Sequence, residues 1–208
     1  MTLTKANFDM RHNLFLWLTI LTIPLFTACT PIGAAMGVGA AVGIGAAKEG
    51  GLKSTVSDLK IQAMINDKWF KYDLETFTKL DMTINQGRVL ITGFVQNPDH
   101  RVEAVRLAWQ VEGVQQVINE IQVAESDGIP GFVRDTWITT RLRTSLTFDR
   151  EVHSINYSID TVGSVVYLMG VAQSQSELNH VIERARTIPY VSRVVSYVKM
   201  SDNQKAGT

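Results

Sequence analysis

From residue 57 onward the apolar positions fall into short periodic runs. Ser57 to Trp69 places Leu59, Ile61, Ile65 and Trp69 at helical spacing, with Ser57 or Asp58 available as a cap. Leu80, Met82 and Ile84 then alternate with polar residues, as in a half-buried strand. Gln86-Gly87 marks a turn, and Arg88 to Val95 returns as a second strand. Asn97-Pro98-Asp99 opens a second helix, because Asn caps and Pro fits the first turn. Val102, Val105 and Trp109 share one face of it, which makes Trp109, like Trp69, a predicted core residue. Gly113 ends this helix. Val117, Ile121 and Val123 then share parity on a last strand, with Asn119 between them.

The order then repeats. Asp58 and Asp135 lie 77 positions apart, and the same offset carries Ile61 to Ile138, Ile65 to Leu142, Gly93 to Gly170, Val114 to Val191, Val117 to Val194 and Ile121 to Val198. The matches concentrate on apolar and glycine positions, so the two copies share a core plan. In the second copy the pattern predicts a helix from Asp135 to about Thr147 and strands at Ser154–Asp160 and Val165–Gly170, with Gly163 in the turn. A helix capped by Ser174 and Glu177 follows, then a strand from Val191 to Met200. Pro189-Tyr190 replaces the helix-ending glycine, which predicts a different turn there. Each copy therefore reads α-β-β-α-β. The expected fold is α+β, two tandem modules, each a three-stranded mixed sheet covered by two helices. The expected boundaries are 55–124 and 134–201, joined by a linker at 125–133 and followed by a tail at 202–208.

The first 54 residues follow another plan. Leu14 to Phe26 is uncharged, too short to span a bilayer as a helix, and of the length of a signal-peptide apolar region. Leu25-Phe26-Thr27-Ala28-Cys29 resembles a bacterial lipobox, although Phe26 stands where an aliphatic residue is usual. That resemblance implies removal of residues 1–28 and acylation of Cys29. Cys29 is the chain's one cysteine, so an intrachain disulfide is excluded. The same resemblance implies transport to the outer membrane, because Thr30, rather than Asp, follows the cysteine. Initiation at Met10 instead of Met1 gives a more typical leader. The competing reading is an uncleaved membrane anchor with an incidental thiol. Residues 31–47 are rich in glycine and alanine and carry no charge. They read either as a flexible tether or, from the spacing of Gly33, Gly37, Gly39 and Gly43, as a membrane-associated glycine zipper.

The glycine-bounded hairpin, Leu90-Ile91-Thr92-Gly93 with Leu168-Met169-Gly170, and the run Val111-Glu112-Gly113-Val114-Gln115-Gln116-Val117 resemble the BON domain. The order of lipobox, glycine–alanine segment and two such modules resembles the dual-BON outer-membrane lipoproteins, as does Asp135-Thr136-Trp137-Ile138-Thr139-Thr140. The resemblance implies a lipid-anchored protein at the periplasmic face of the outer membrane, phospholipid or envelope binding, support of envelope integrity, and no enzymatic activity.

Charge and chemistry narrow the partner. Twenty basic and twenty acidic residues cancel, so no global field recruits nucleic acid. His100, His153 and His180 lack the spacing of a metal site, and no nucleophile, phosphate-loop or zinc-protease motif occurs. No cofactor is expected beyond the covalent lipid on Cys29. The best local patch is the helix after the linker, where Arg134, Arg141, Arg143 and Arg150 outnumber Asp135 and Asp149 around Trp137. An indole and guanidinium groups suit a phosphate-bearing headgroup layer. Arg134, Trp137, Ile138, Arg141, Arg143 and Ser145 are therefore the expected anionic-phospholipid site. The corresponding helix of the first copy has Lys60 and Lys68 but no arginine pair, so the first copy is expected to support the second. Two alternatives stand beside this. In one, Trp137 packs between the copies and the arginines are merely solvated. In the other, the chain is an adaptor for an envelope protein, contacted through a sheet edge or the groove between copies. Phe132, Trp69-Phe70 and Tyr72 offer a second apolar surface, with Trp69 read first as a core residue. The oligomeric state is left open.

Overall fold

A computed structural model describes residues 47–73, 78–124 and 131–201. The lipobox, Cys29 and nearly all of the glycine–alanine segment lie outside the described residues. So do most of the linker and the tail after Ser201.

Each copy builds the expected module. In the first, α1 (Gly51–Tyr72) is followed by β1 (Leu80–Asn85), β2 (Arg88–Val95), α2 (Pro98–Trp109) and β3 (Gln116–Val123). In the second, α3 (Phe132–Thr147) is followed by a single 3-10 turn at Ser154–Asn156, β4 (Tyr157–Val162), β5 (Val165–Ala172), α4 (Gln175–Arg186) and β6 (Arg193–Met200). The middle strand of each sheet pairs antiparallel with the strand before it and parallel with the strand after it. The crossover helix makes the parallel pairing feasible. Among the described residues no helix is long and apolar enough to cross a membrane.

The offset of 77 positions holds through both cores. Ile61, Ile65 and Trp69 of α1 meet Val89 and Ile91 of β2 and Ala104 and Ala108 of α2. Ile138, Leu142 and Leu146 meet Val166, Leu168, Val181 and Ala185 in the same way. The indole of Trp69 donates to the carbonyl of Ala104 at 3.1 Å, so its polar edge is satisfied inside the core.

Several expectations need correction. Helix α1 starts at Gly51, not Ser57, and Asp58 does not cap it. Its carboxylate accepts instead from the backbone amides of Gln86 and Gly87, both at 2.8 Å. Asp135 does the same for Gly163 and Ser164, at 2.8 and 2.9 Å. In both hairpins the two central residues have positive φ, from 53° to 74°, as a two-residue primed turn requires. The carboxylate of the preceding helix thus clamps the tip of each hairpin. Trp109 is not core: it is 51% exposed, and Val102 is 65% exposed. The buried face of α2 is Ala104, Leu107 and Ala108, because small residues let this helix lie close to the sheet.

The remaining face of each sheet is covered by the other copy. Leu90 and Ile118 from the first sheet pack with Val162, Tyr167 and Met169 from the second, and Phe94, Val195 and Tyr197 close the edges. The layers therefore run helices, sheet, sheet, helices. Polar residues fix this seam. Arg88 donates through Nη1 to the carbonyl of Tyr197 at 2.9 Å and through Nε to Gln116 at 3.0 Å. The hydroxyl of Tyr197 donates to Glu120, and that of Thr92 to Asp160.

Burial pushes the carboxyl of Asp160 up, and the nearby charges of Asp81 and Asp135 push the same way, while the Thr92 hydrogen bond opposes them. A carboxyl raised in the folded state destabilises the fold once pH exceeds its unfolded value and relieves that cost as pH falls through its folded value. Asp160→Asn is therefore expected to raise the melting midpoint at pH 7 and to show no advantage at pH 4. A midpoint lowered at pH 7 would mean that the ionised carboxylate holds the seam.

Candidate functional site

Helix α3 starts three residues before the sequence pattern placed it, behind Gly131 in the left-handed conformation. Its core face is Ile138, Leu142 and Leu146, with Asp135 buried beside them. Ile138 is fully buried, so it is withdrawn from the expected surface site. The acids of the region are turned away. Asp135 is spent on the hairpin, and Asp149 binds His180 at 2.8 Å and Arg184 at 3.2 Å. The His180 hydrogen bond, above all, holds the Asp149 carboxyl below its ordinary range.

The other flank of α3 opens into a groove of about 620 Å³ against the end of α4 and the turn that follows. Trp137, Arg141 and Ser145 line it from α3, and Arg184, Ile188 and Pro189 line it from the opposite side. The guanidinium of Arg141 lies 5.5 Å from the centre of the Trp137 ring, within cation–π reach. Among the described residues Arg141 has no carboxylate partner. Tyr190 meets Trp137 edge-on, with ring centres 5.9 Å apart. Trp137 is 40% exposed and touches an aromatic of its own copy, so it does not pack between copies.

The structure separates the remaining expected residues. Arg134 is exposed in the first turn of α3 but does not line the groove. Arg143 stands on the other flank, where Nη2 reaches the carbonyl of Ile159 at 3.4 Å, so it does not join Trp137 and Arg141. Arg150 follows the helix end and is exposed. Trp69 is buried, whereas Phe70 and Phe132 are more than 60% exposed, and Tyr72 is 43% exposed with its ring edge-on to His100.

Tyr190 was missed by sequence reasoning, and its conformation is the site's most unusual feature. It occupies the position 77 residues after Gly113, and both are left-handed: φ is 93° at Gly113 and 70° at Tyr190. The turn therefore does not differ between the copies, contrary to expectation. A bulky side chain has been placed where the backbone suits glycine, at a cost of about 1–2 kcal/mol. Its ring is 68% exposed and gives no core contact in return. The replacement of glycine by Tyr was the available signal.

Comparison with known proteins agrees with this architecture. The family model described as "BON domain" matches residues 57–125 and 134–202. An uncharacterized protein in the gshII 5′ region of Anaplasma centrale is 38% identical over 72% of this chain and 98% of its own length. The outer membrane lipoprotein DolP of Haemophilus influenzae is 28% identical over 66% of this chain and 76% of its own length. The osmotically-inducible protein Y of Escherichia coli is 27% identical over 69% of this chain and 73% of its own length.

Proposed function

The chain belongs to the BON-domain family, with two copies of the domain, and from that premise we infer that it is a non-enzymatic envelope lipoprotein whose second copy binds anionic phospholipid. In this reading Cys29 carries the acyl chains that hold the protein at the periplasmic face of the outer membrane. Similarity to an outer membrane lipoprotein and the lipobox-like run before Cys29 support that placement. The observation that carries the binding role is the aromatic pair at the groove. Trp137 and Tyr190 are both exposed, Tyr190 stands in a strained conformation, and Arg141 lies over the indole with no acidic partner among the described residues. Strain held at an exposed position without a packing return points to function. An amphipathic ring pair sits well at a headgroup layer, and a guanidinium pairs with phosphate. Each such cation adds about 1 kcal/mol near an anionic surface, enough to matter beside a lipid anchor.

Vesicle flotation tests this on a chain beginning at Lys48, which keeps both cores. Binding is expected to phosphatidylglycerol-containing vesicles and not to phosphatidylcholine alone, and to weaken as salt rises. Trp137→Ala with Arg141→Glu is expected to reduce the floated fraction at least tenfold. Equal flotation of this variant and the wild type would reject the groove. A second substitution separates function from folding. Tyr190→Gly removes backbone strain but frees the unfolded chain, two effects of about 1 kcal/mol that nearly cancel. Its melting midpoint should stay close to wild type while vesicle binding falls. If the chain instead serves as an adaptor for an envelope protein, neither variant will change flotation, and a partner will crosslink without any vesicle association.

A further inference from the structure

The flank of α3 that carries Arg143 borders a second hollow, of about 480 Å³. That volume is in the range of small-molecule sites. Its walls are mostly apolar, from Leu146, Ile155, Tyr157 and Ile159, with the hydroxyl residues Thr147 and Ser154 beside them. Ile155 is 39% exposed, so its side chain is open to a ligand in the hollow. Two cations, Lys48 and Arg143, stand at its edge, and among the described residues no carboxylate lines it.

Lys48 belongs to the segment that precedes the first copy, yet the backbone holds it at the second. The amide of Glu49 donates to Asn156 Oδ1 at 2.9 Å, and Gln173 Nε2 donates to the Glu49 carboxylate at 2.9 Å. The carbonyl of Lys48 accepts from Gly51 at 3.0 Å. Among the described residues neither Lys48 nor Arg143 is paired with an acid. Tyr157, in the wall, has a buried hydroxyl without a partner among the described residues, and burial raises its pKa, so it remains a neutral donor.

We propose that this hollow binds a single-chain amphiphilic anion, with the alkyl chain against Ile155 and Ile159 and the anionic head between Lys48 and Arg143. Apolar walls alone would accept any hydrocarbon. The paired cations with no acid select a negative head, and each buried methylene strengthens binding roughly fourfold. The site shares no lining residue with the Trp137 groove and does not depend on that groove binding lipid.

Titration calorimetry of the full chain with dodecyl phosphate, kept below its micelle concentration, tests the site. Dodecanol and butyl phosphate serve as the tail-only and head-only comparators. One dodecyl phosphate per chain is expected, with both comparators at least tenfold weaker. Lys48→Gln with Arg143→Gln should weaken dodecyl phosphate at least tenfold without moving the circular dichroism spectrum. If that variant folds poorly, Ile155→Asp, at an exposed position, should produce the same loss. Displacement by phosphatidylglycerol vesicles would identify the natural source as bilayer lipid, and retention would identify a free amphiphile; both uphold the site. Binding within twofold of wild type in the charge variant and in Ile155→Asp would overturn it. So would a loss confined to Trp137→Ala with Arg141→Glu, which would assign the amphiphile to the groove.

Discussion

Gly170→Ala is expected to unfold both copies together at temperatures where the wild type is intact. The residue has φ 143°, and an added Cβ would stand 1.9 Å from the carbonyl oxygen of Asn156. That oxygen belongs to the peptide that leads into β4, whose first residue, Tyr157, is paired with Gly170, so it cannot rotate away. The loss should be at least about 4 kcal/mol, the range reserved for severe packing or backbone conflicts. For a folded unit of this size that is roughly an 8–16 °C fall in melting midpoint. Gly93→Ala should act alike in the first copy, where the added atom would meet the Lys79 carbonyl at 2.3 Å. Because the two sheets share a buried seam, either variant should lower one cooperative transition rather than split it in two. A variant melting within 2 °C of wild type would show that the strand pair shifts freely, contrary to the packing described.

The second large effect is expected at the hairpin clamp. Asp135 is 4% exposed, and its two oxygens take the amides of Gly163 and Ser164. Asp135→Ala leaves both donors without an acceptor, and charge-assisted bonds of this kind contribute about 1.5–3 kcal/mol each. The total loss should be about 3–5 kcal/mol by urea denaturation. Asp135→Asn keeps one accepting oxygen and should lose about half as much. Asp58→Ala should cost less, because the clamp of the first copy is only partly buried. Amide hydrogen exchange at Gly163 and Ser164 gives a local check, since both should lose protection before β5 does. Equal losses for Asp58→Ala and Asp135→Ala would exclude burial as the source of the difference.

The repeat was legible because it is written in positions that admit few residue types. Gly93 and Gly170 face a neighbouring carbonyl, Asp58 and Asp135 face a hairpin tip, and Ile61 and Ile138 face a sheet. Each therefore survives at a fixed offset, although the reason for the aspartates could not be read from spacing alone. Helix positions were harder. Trp109 and Val102 share a face in sequence, but the sheet accepts the smaller face of Ala104 and Ala108 instead, since bulk predicts burial only when there is room for it. The seam was also hidden. Leu90, Thr92, Ile118 and Glu120 lie on the strand parity opposite to the one that reveals the core, and a mixed polar and apolar row reads as a solvated face. At the candidate site, helical spacing put Trp137, Arg141 and Ser145 on one flank, and all three line the groove. It could not exclude Ile138, which is one residue from Trp137 but turned into the core, or assign Arg143 to its own flank. Tyr190 lies 53 positions from Trp137, and only folding brings the two rings together.

The stitching of Glu49 to Asn156 and Gln173 has a mechanical consequence. A chain entering the first domain would ordinarily pass any tension from its N-terminal side to that domain alone. Here the entering segment is fastened to the far domain before α1 begins. A pull from that side must therefore strip two hydrogen bonds from the second domain before the first bears load, which makes Glu49 the place where force applied upstream would be felt first.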